Sequence, residues 1–433
     1  MLQYNVTCLN FEFRGEENLK RCLILITSSY PYLTQESFLE SEIPYLKNGF
    51  DKIITLAIDI GKDAKKMRAT PENADCYNIA TQKKSVSRTE SMMLGAFNFV
   101  KGSDYSDCDN DADDVRKKMF LEYFAARAQR EFKLCMKILN KYEFSQYDSV
   151  TVYSYWFFVT ALIGVKIKEE ISKKCKNVKL VSRAHRYDVY ENVNALNYLP
   201  LRAYLLNEVN MLFPCSIDGE THIKKKYPVF DSKINHSYLG TPDAGLNKGS
   251  DNGFHIVSCS RAVPIKRLEK IVTGLSVLKD SGIDNLRWTH IGDGPELKKI
   301  KVLAAEKLGF MEVNFKGGIS NAEVLNFYRK NPVDVFVNVS NTEGLPVSIM
   351  EALSFGIPVI ATNVGGVGEI IKHHFNGYLL DPNFSDEDFA FRIKNIAFSD
   401  EEKKLKRRQN ARAYWEEKFN ADKNYLEFTQ KIR

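Results

Sequence analysis

The stretch Ser340–Gly366, SNTEGLPVSIMEALSFGIPVIATNVGG, constrains the fold more than any other part of this chain. The run before it, DVFVNVS from Asp334 to Ser340, is apolar and β-rich, the mark of a strand buried in a parallel sheet. Pro346 suits the first turn of a helix, where its missing N–H has no intrahelical partner and its φ is already set. The pattern predicts a helix over Val347–Phe355, a stop at Gly356-Ile357-Pro358 and a new strand over Val359–Thr362. That order puts a helix N-terminus at the mouth of a parallel sheet. Free N–H groups and the positive end of the helix dipole meet there, which suits a phosphate. Gly344 lacks a Cβ and lets such a group approach the backbone beside Leu345. Glu351, just over one turn in, is placed to accept two hydrogen bonds from a ribose diol, as acidic residues do in dinucleotide folds. Glu343 would repel phosphate and suits neutral hydroxyls, such as those of a sugar. Read as structure alone, the two would be a loop charge and a solvated helix face.

The paired glutamates, with EGLP and the later NVGGVGEII, resemble the signature of retaining glycosyltransferase family 4, which has the GT-B fold. The resemblance covers most of the C-terminal half, through VSCSRAVPIKRLEKIV (Val257 to Val272), HIGDGPELKKI (His290 to Ile300), VNFKGGISNAEVLNFY (Val313 to Tyr328) and NGYLLDP (Asn376 to Pro382). Several motifs in the right order are far more specific than one glycine motif. The fold class this implies is α/β, two Rossmann-like domains whose parallel sheets face across a cleft.

At 433 residues the chain has room for two or three domains, each with its own core. The net charge of +6 is too mild to imply nucleic acid as a partner. Its eight cysteines lie far apart and match no zinc spacing, which reads as a reduced, cytoplasmic protein. The first residues, MLQYNVTCLNFEFRGEE, lack the basic and apolar regions of a signal peptide, so the sequons at Asn5, Asn235 and Asn338 are taken as chance matches. Seventeen residues without a charge, Ser149–Val165, reach the lower limit of a membrane span. Their strand-like start predicts instead a buried strand entering a buried helix.

Strands are expected at Arg21–Pro31, Lys52–Asp59, Val150–Ser154, Val178–His185 and Met211–Ser216, alternating with helices. One helix is expected from about Thr34 or Gln35, carrying Glu36, Phe38, Leu39, Ile43 and Leu46; a longer one spans Asp113–Leu139. The Gly-, Asn- and Asp-rich stretch between Ile234 and Asp251 has linker chemistry. The expected division is therefore 1–242, an acceptor-side domain, and 243–415, a nucleotide-sugar domain with strands near Leu286, Val313, Asp334 and Val359. In the resembled fold a last helix, here 416–433, returns to the first domain.

Arg261 and Lys266 follow the first strand of the second domain, where a cationic pair can hold a diphosphate and offset charge on a leaving oxygen. By resemblance that pair works without a metal. His185 ends a strand of the first domain, and strand ends are where such sheets bind ligands. The resemblance implies that it reaches the transferred sugar or its phosphate, which with Glu343 makes the catalytic pair; Arg183 and Asp188 are weaker candidates. Gly317, Gly318 and Ile319 form a strand-end loop that, by resemblance, abuts the nucleobase; otherwise it is a turn before a helix. Asp293 in GDGP is read as structural. Many relatives carry a glycine-rich loop after the first strand, but SSYPYLTQESF (Ser28 to Phe38) has no glycine, and Thr34 or Glu36 is left to bind acceptor hydroxyls.

DCDNDADD (Asp107 to Asp114) imitates a D-x-D metal motif and a calcium loop, yet it has Ala112 where the loop needs Gly and Lys118 where it needs Glu. It reads as a solvated acidic loop, and His373-His374 as surface. No metal or cofactor is expected beyond the sugar-nucleotide co-substrate, a UDP-hexose. The partners expected are that donor and a glycan or lipid-linked acceptor in surface polysaccharide synthesis. Lys166–Arg186 and Lys224–Lys226 are strongly basic, either solvated faces or a surface for anionic lipid that would make the protein peripheral at the cell membrane's inner face. Rival readings are a sugar-nucleotide epimerase or phosphorylase of the same fold, and a non-catalytic partner subunit.

Overall fold

The computed structural model describes residues 19–33, 36, 38–82, 93, 96, 105, 108–194, 196–250 and 252–433. Asn5, Cys8, Thr34, Gln35, Asp107 and Asp251 lie outside the described residues. Twelve described strands form two six-stranded sheets. The first contains β1 (Arg21–Thr27), β2 (Lys52–Ala57), β3 (Ala74–Asn78), β4 (Ser149–Ser154), β5 (Val178–Ala184) and β6 (Met211–Pro214), in the order β3-β2-β1-β4-β5-β6. The second contains β7 (Phe254–Cys259), β8 (Leu286–Ile291), β9 (Glu312–Gly317), β10 (Val335–Asn338), β11 (Val359–Thr362) and β12 (Gly377–Leu380), in the order β12-β11-β10-β7-β8-β9. Every strand pair is parallel. The central strands are apolar on both faces because helices cover both, and β1 is buried from end to end. Each sheet reverses direction beside its first strand, and ligands bind at the carboxyl ends of strands at such a switch point.

The uncharged run Ser149–Val165 is β4 followed by the helix Val159–Ile171, whose residues from Val159 to Val165 are all buried. No helix among the described residues is long and apolar enough to cross a membrane. The helix Val115–Leu139 starts where the side chain of Asp114 accepts the Lys117 N–H. Glu36 departs from expectation. It lies ahead of the first helix, which begins only at Leu39, and its φ of 61° is left-handed. β3 is an edge strand whose burial is only partial, so its sequence carries no strong strand signal.

The helix Glu401–Lys418 packs on the second domain, and Trp415 within it is fully buried. It runs unbroken past the expected division at 415/416, and the chain changes partner at Phe419–Ala421. There Thr241 N donates to Phe419 O at 2.9 Å and Ala421 N to Thr241 O at 3.1 Å. The last helix, Ala421–Ile432, packs on the first domain, where Thr151 Oγ1 donates to Ile432 O at 2.8 Å and Phe428 lies 5.4 Å from Tyr153.

Four of the eleven basic residues in the two runs are ion-paired among the described residues. Lys173 meets Glu170 at 2.7 Å, Lys224 meets Glu220 at 2.9 Å, and Lys226 meets both Asp111 and Glu191 at 2.9 Å. Arg183, counted among the basic residues from sequence, has no exposure and is bonded to an equally buried Glu42 at 3.1 Å. The described acidic residues near Asp107 are also engaged. Asp109 accepts from Tyr198 and Leu201, Asp111 from Tyr227, and Asp113 pairs with Lys117 at 2.6 Å. Asp109 and Asp111 are thus structural anchors, while Cys108, Asn110 and Asp113 stay exposed as a solvated loop would have them.

Candidate functional site

Five loops of the second domain meet at the carboxyl edge of its sheet, and glycine lets them touch backbone to backbone. The loop after β7 carries Arg261 and Lys266. It is held by GDGP: Ala262 N donates to Asp293 O at 2.9 Å and Glu296 N to Ala262 O at 3.0 Å. Any Cβ at Gly292 would lie 1.8 Å from Ser260 O, so no other residue fits there. Asp293 is structural, its carboxylate accepting the Gly294 N–H at 2.7 Å.

The loop after β10 carries the glutamate pair. Pro346 takes the N-cap position, one place before the first turn, and the helix spans Val347–Ser354. Phe355 caps it, so the helix ends one residue earlier than the periodicity suggests. The pair Gly365-Gly366 after β11 supports the EGLP loop from behind. Gly366 N donates to Gly344 O at 2.9 Å, and a Cβ at Gly365 would stand 2.0 Å from Glu343 O.

Glu343 is buried and points back at the β7 loop. Its Oε1 accepts from Lys266 Nζ at 2.6 Å and from Asn338 Nδ2 at 3.2 Å. The two motifs most separated by function in the sequence reading thus share one ion pair. Arg261 is exposed nearby on the same loop, with no side-chain partner among the described residues. Glu351 lies behind, where burial lifts its carboxyl to about 7, opposed by a hydrogen bond from Asn321 Nδ2 at 2.5 Å. Asn321 begins the helix that follows the Gly317-Gly318-Ile319 loop, so that loop and Glu351 border one space. Gly318 is exposed and stands against Asp293, with 3.4 Å from an ideal Cβ to the Asp293 Cβ. Leu345 is buried under the site, packed in the second-domain core.

Across the cleft stands the end of β5. Arg186 Nε donates to Thr342 Oγ1 at 2.9 Å, and a Cβ on Gly344 would come within 3.0 Å of the Arg186 Cβ. His185, one residue earlier, is boxed by Trp156 at 4.6 Å, Tyr155 at 4.9 Å and Phe38 at 6.0 Å between ring centroids. Burial and the nearby Arg183 guanidinium hold its pKa down at about 3, so the ring is neutral. Its Nε2 is buried without a partner. Asp188 is not a solvated loop charge. It accepts the backbone N–H groups of Phe157 and His185, tying the β4 and β5 ends together.

Glu36 is turned inward rather than toward an acceptor. Its carboxylate accepts the N–H groups of Ser28, Ser29 and Tyr30 at 2.8, 2.7 and 2.7 Å, and Trp156 Nε1 at 2.6 Å. Sequence reasoning missed Asn338, Asn321, Trp156 and this role of Glu36. A signal existed for Asn321 alone, since Ser320-x-x-Glu323 is a capping box that fixes the start of its helix. Among the described residues no group of three or more His, Cys, Asp or Glu is arranged to hold a metal ion.

Residues 247–414 match the family model described as Glycosyl transferases group 1. The GDP-mannose-dependent alpha-(1-6)-phosphatidylinositol monomannoside mannosyltransferase of Mycobacterium tuberculosis is 32% identical over 133 residues, 29% of this chain and 34% of that protein. The putative colanic acid biosynthesis glycosyltransferase WcaL of Escherichia coli is 28% identical over 215 residues, covering 47% and 52%. The chain thus spans about a third to a half of the length of these curated relatives. Among solved structures, Anabaena Alr3699/HepE in complex with UDP and glucose covers 96% of this chain and 99% of its own, at a TM-score of 0.63 and 14% identity. The apo lipopolysaccharide outer core galactosyltransferase WaaB covers 95% and 98%, at 0.62 and 15%. These likenesses run through both sheets and show the GT-B fold.

Proposed function

We propose, from the match of residues 247–414 to the glycosyl transferases group 1 model, that this chain is a hexosyltransferase of polysaccharide synthesis that uses a nucleoside-diphosphate hexose, UDP-linked, and retains anomeric configuration without a metal. The Lys266–Glu343 ion pair of 2.6 Å carries the reading, because it places a cation and a sugar-facing carboxylate together at the N-terminus of the helix Val347–Ser354. A diphosphate there meets Lys266, Arg261 and the free N–H groups of the helix. Gly344 leaves room for it at the backbone. Glu351 takes the ribose diol, and the loop Gly318-Ile319 lies against the base. Glu343 binds hydroxyls of the sugar, and neutral His185 faces the same sugar from the first domain. Arg261 and Lys266 offset charge on the departing phosphate, which can itself take the acceptor proton. The acceptor then attacks from the face the nucleotide leaves. The UDP bound in the Anabaena structure supports the choice of base. The acceptor, a glycan or lipid-linked glycan, is met by the first domain.

Nucleotide release from a panel of UDP- and GDP-hexoses, with and without chelator, tests this. Release from a UDP-hexose that survives chelation is expected. A strict requirement for Mg2+ or Mn2+ overturns the metal-free mechanism, and release only from GDP-mannose overturns the choice of base.

A further inference from the structure

A cavity of about 320 Å³ opens at the carboxyl ends of β1, β2 and β4, between Ser28, Asp59, Arg127, Trp156, Phe158 and Tyr187. We propose that it is a saccharide-binding subsite that seats a neutral sugar ring of the acceptor. This rests on the transferase reading and adds to it the residues and the chemistry of the acceptor side. Its volume falls within the roughly 300–1,000 Å³ common to small-ligand sites.

Three aromatic rings, Trp156, Phe158 and Tyr187, line it among the described residues. Tyr187 is 49% exposed, and Phe158 packs edge-on against it at 5.6 Å. The C–H groups on one face of a pyranose are weakly positive and pack on the electron-rich face of such a ring, while its hydroxyls spread outward around the rim. At that rim stands a carboxylate–guanidinium pair, Asp59 and Arg127, 2.9 Å apart. The pair offers acceptors and donors together, as vicinal hydroxyls require. They are the charged residues among the described lining, and each neutralises the other. An anionic headgroup would therefore gain no net attraction here, whereas an uncharged sugar loses nothing.

The walls are also fixed in advance. The Glu36 carboxylate holds both the Ser28 N–H and the Trp156 indole, so one buried group sets two sides of the cavity. Asp59 N donates to Ser28 O at 2.7 Å, which fixes a third. Trp156 packs at a tilt against His185, the neighbour of Arg186, and Arg186 reaches Thr342 beside Glu343. A sugar seated in the cavity thus lies one aromatic ring away from the cleft.

The three tryptophans make the test direct. Trp288 and Trp415 have no exposure and lie with the second domain, so Trp156 alone can respond to a ligand in this cavity. The intact chain is titrated with the methyl glycosides of glucose, galactose, mannose and N-acetylglucosamine, with inorganic phosphate and an octyl-chain alcohol as controls. A saturable change in emission with at least one glycoside and with neither control is expected. Trp156→Phe should abolish it, and Tyr187→Ala and Asp59→Asn should each weaken it at least tenfold with the melting temperature held near wild type. A flat response to all four glycosides overturns the proposal. So does a Tyr187→Ala titration that superimposes on the wild type, and a response to octanol alone assigns the cavity to a lipid chain. Nucleotide release is measured separately without acceptor. Release with a flat glycoside titration removes the subsite only, and absence of release from every sugar nucleotide removes the transferase reading.

Discussion

The carboxyl edges of the two sheets are built by different means. At the second, loops after five strands touch through glycine, and the polar partners are short-range or lie in adjoining loops. Asn338 and Glu343 are five residues apart, and Gly365 and Gly366 close on a loop about twenty residues earlier. At the first, buried carboxylates do the joining across long stretches of chain. Glu36 holds Trp156 from 120 residues away, and Glu42 holds Arg183 from 141. Backbone contact demands glycine at fixed places and therefore leaves a motif. A buried carboxylate only needs a donor somewhere in the fold, and leaves none.

The largest effect that separates the two edges is on stability. Arg183→Leu strands Glu42 in a site where neither side chain has any exposure. Burial already pushes the Glu42 carboxyl up, against the guanidinium and Tyr153. Losing one partner of such a pair costs about 3–5 kcal/mol. Chemical denaturation should show that loss in the first domain while the dissociation constant for donor stays at its wild-type value. A weakened donor site in a stable variant would place Arg183 in the chemistry instead.

At the second edge the corresponding loss is in rate. Lys266→Ala removes the cation beside Glu343 and should lower kcat about 10²–10³-fold, the scale seen when one transition-state donor is lost. Thermal unfolding should move little, because the Lys266 side chain is 23% exposed and its pair is partly solvated. A variant of normal kcat and raised KM would reduce Lys266 to a ground-state contact.

Gly365→Ala comes next. Its φ of 52° and the 2.0 Å approach to Glu343 O both oppose a side chain, and strain of this kind costs about 1–3 kcal/mol. Since Gly365 touches no substrate in the proposed site, its effect should appear as a displaced EGLP loop, with donor affinity and kcat falling together. A variant with wild-type kinetics would mean that the loop is held by other contacts.

The same contrast explains what was legible in the sequence. The strands of the second sheet and the proximity of Glu343, Gly344 and Glu351 follow from motif and periodicity, because β10, its loop and its helix are contiguous, whereas the place of Gly318 came from the family resemblance alone. The ion pair between Lys266 and Glu343 was not legible, since 77 residues separate them and their residue types suggested separate tasks. In the first domain the strands were readable from apolar runs, but the purpose of each charge was not. Arg183 and Asp188 look like loop charges in sequence and are buried anchors in the fold. Glu36 follows a loop without glycine and looks like an exposed helix residue, yet its left-handed backbone turns the carboxylate onto three N–H groups. Lys226 looks unpaired in sequence because its acidic partners, Glu191 and Asp111, are distant from it along the chain.

The smallest effect is a pH dependence; in stability both edges share it, since burial also raises the Asp188 carboxyl at the first edge to about 7, and in donor binding it belongs to Glu351. Burial raises the Glu351 carboxyl from its ordinary value to about 7 in the folded chain. Between the unfolded value near 4.5 and about 7, the folded state keeps a proton that the unfolded state has released. Stability from this group is therefore present at low pH and lost as pH rises through that window, the reverse of a salt-bridged carboxylate. Donor binding should run the other way, because only the ionised group accepts both ribose hydroxyls. Affinity should rise by up to tenfold per pH unit below about 7 and level off above it. Neighbouring Tyr328 and Cys259 do not interfere, since burial lifts the first well above its usual range and the second to about 12. The diphosphate diester of a sugar nucleotide does not titrate there either. Glu351→Gln should abolish the slope in donor affinity, leave the stability slope that Asp188 contributes, and weaken donor by about 1.5–3 kcal/mol at pH 8, the scale of hydrogen bonds to a charged group. Calorimetric titration of donor from pH 5.5 to 8 checks the sign, and an affinity that does not change with pH in the wild type would remove Glu351 from the ribose.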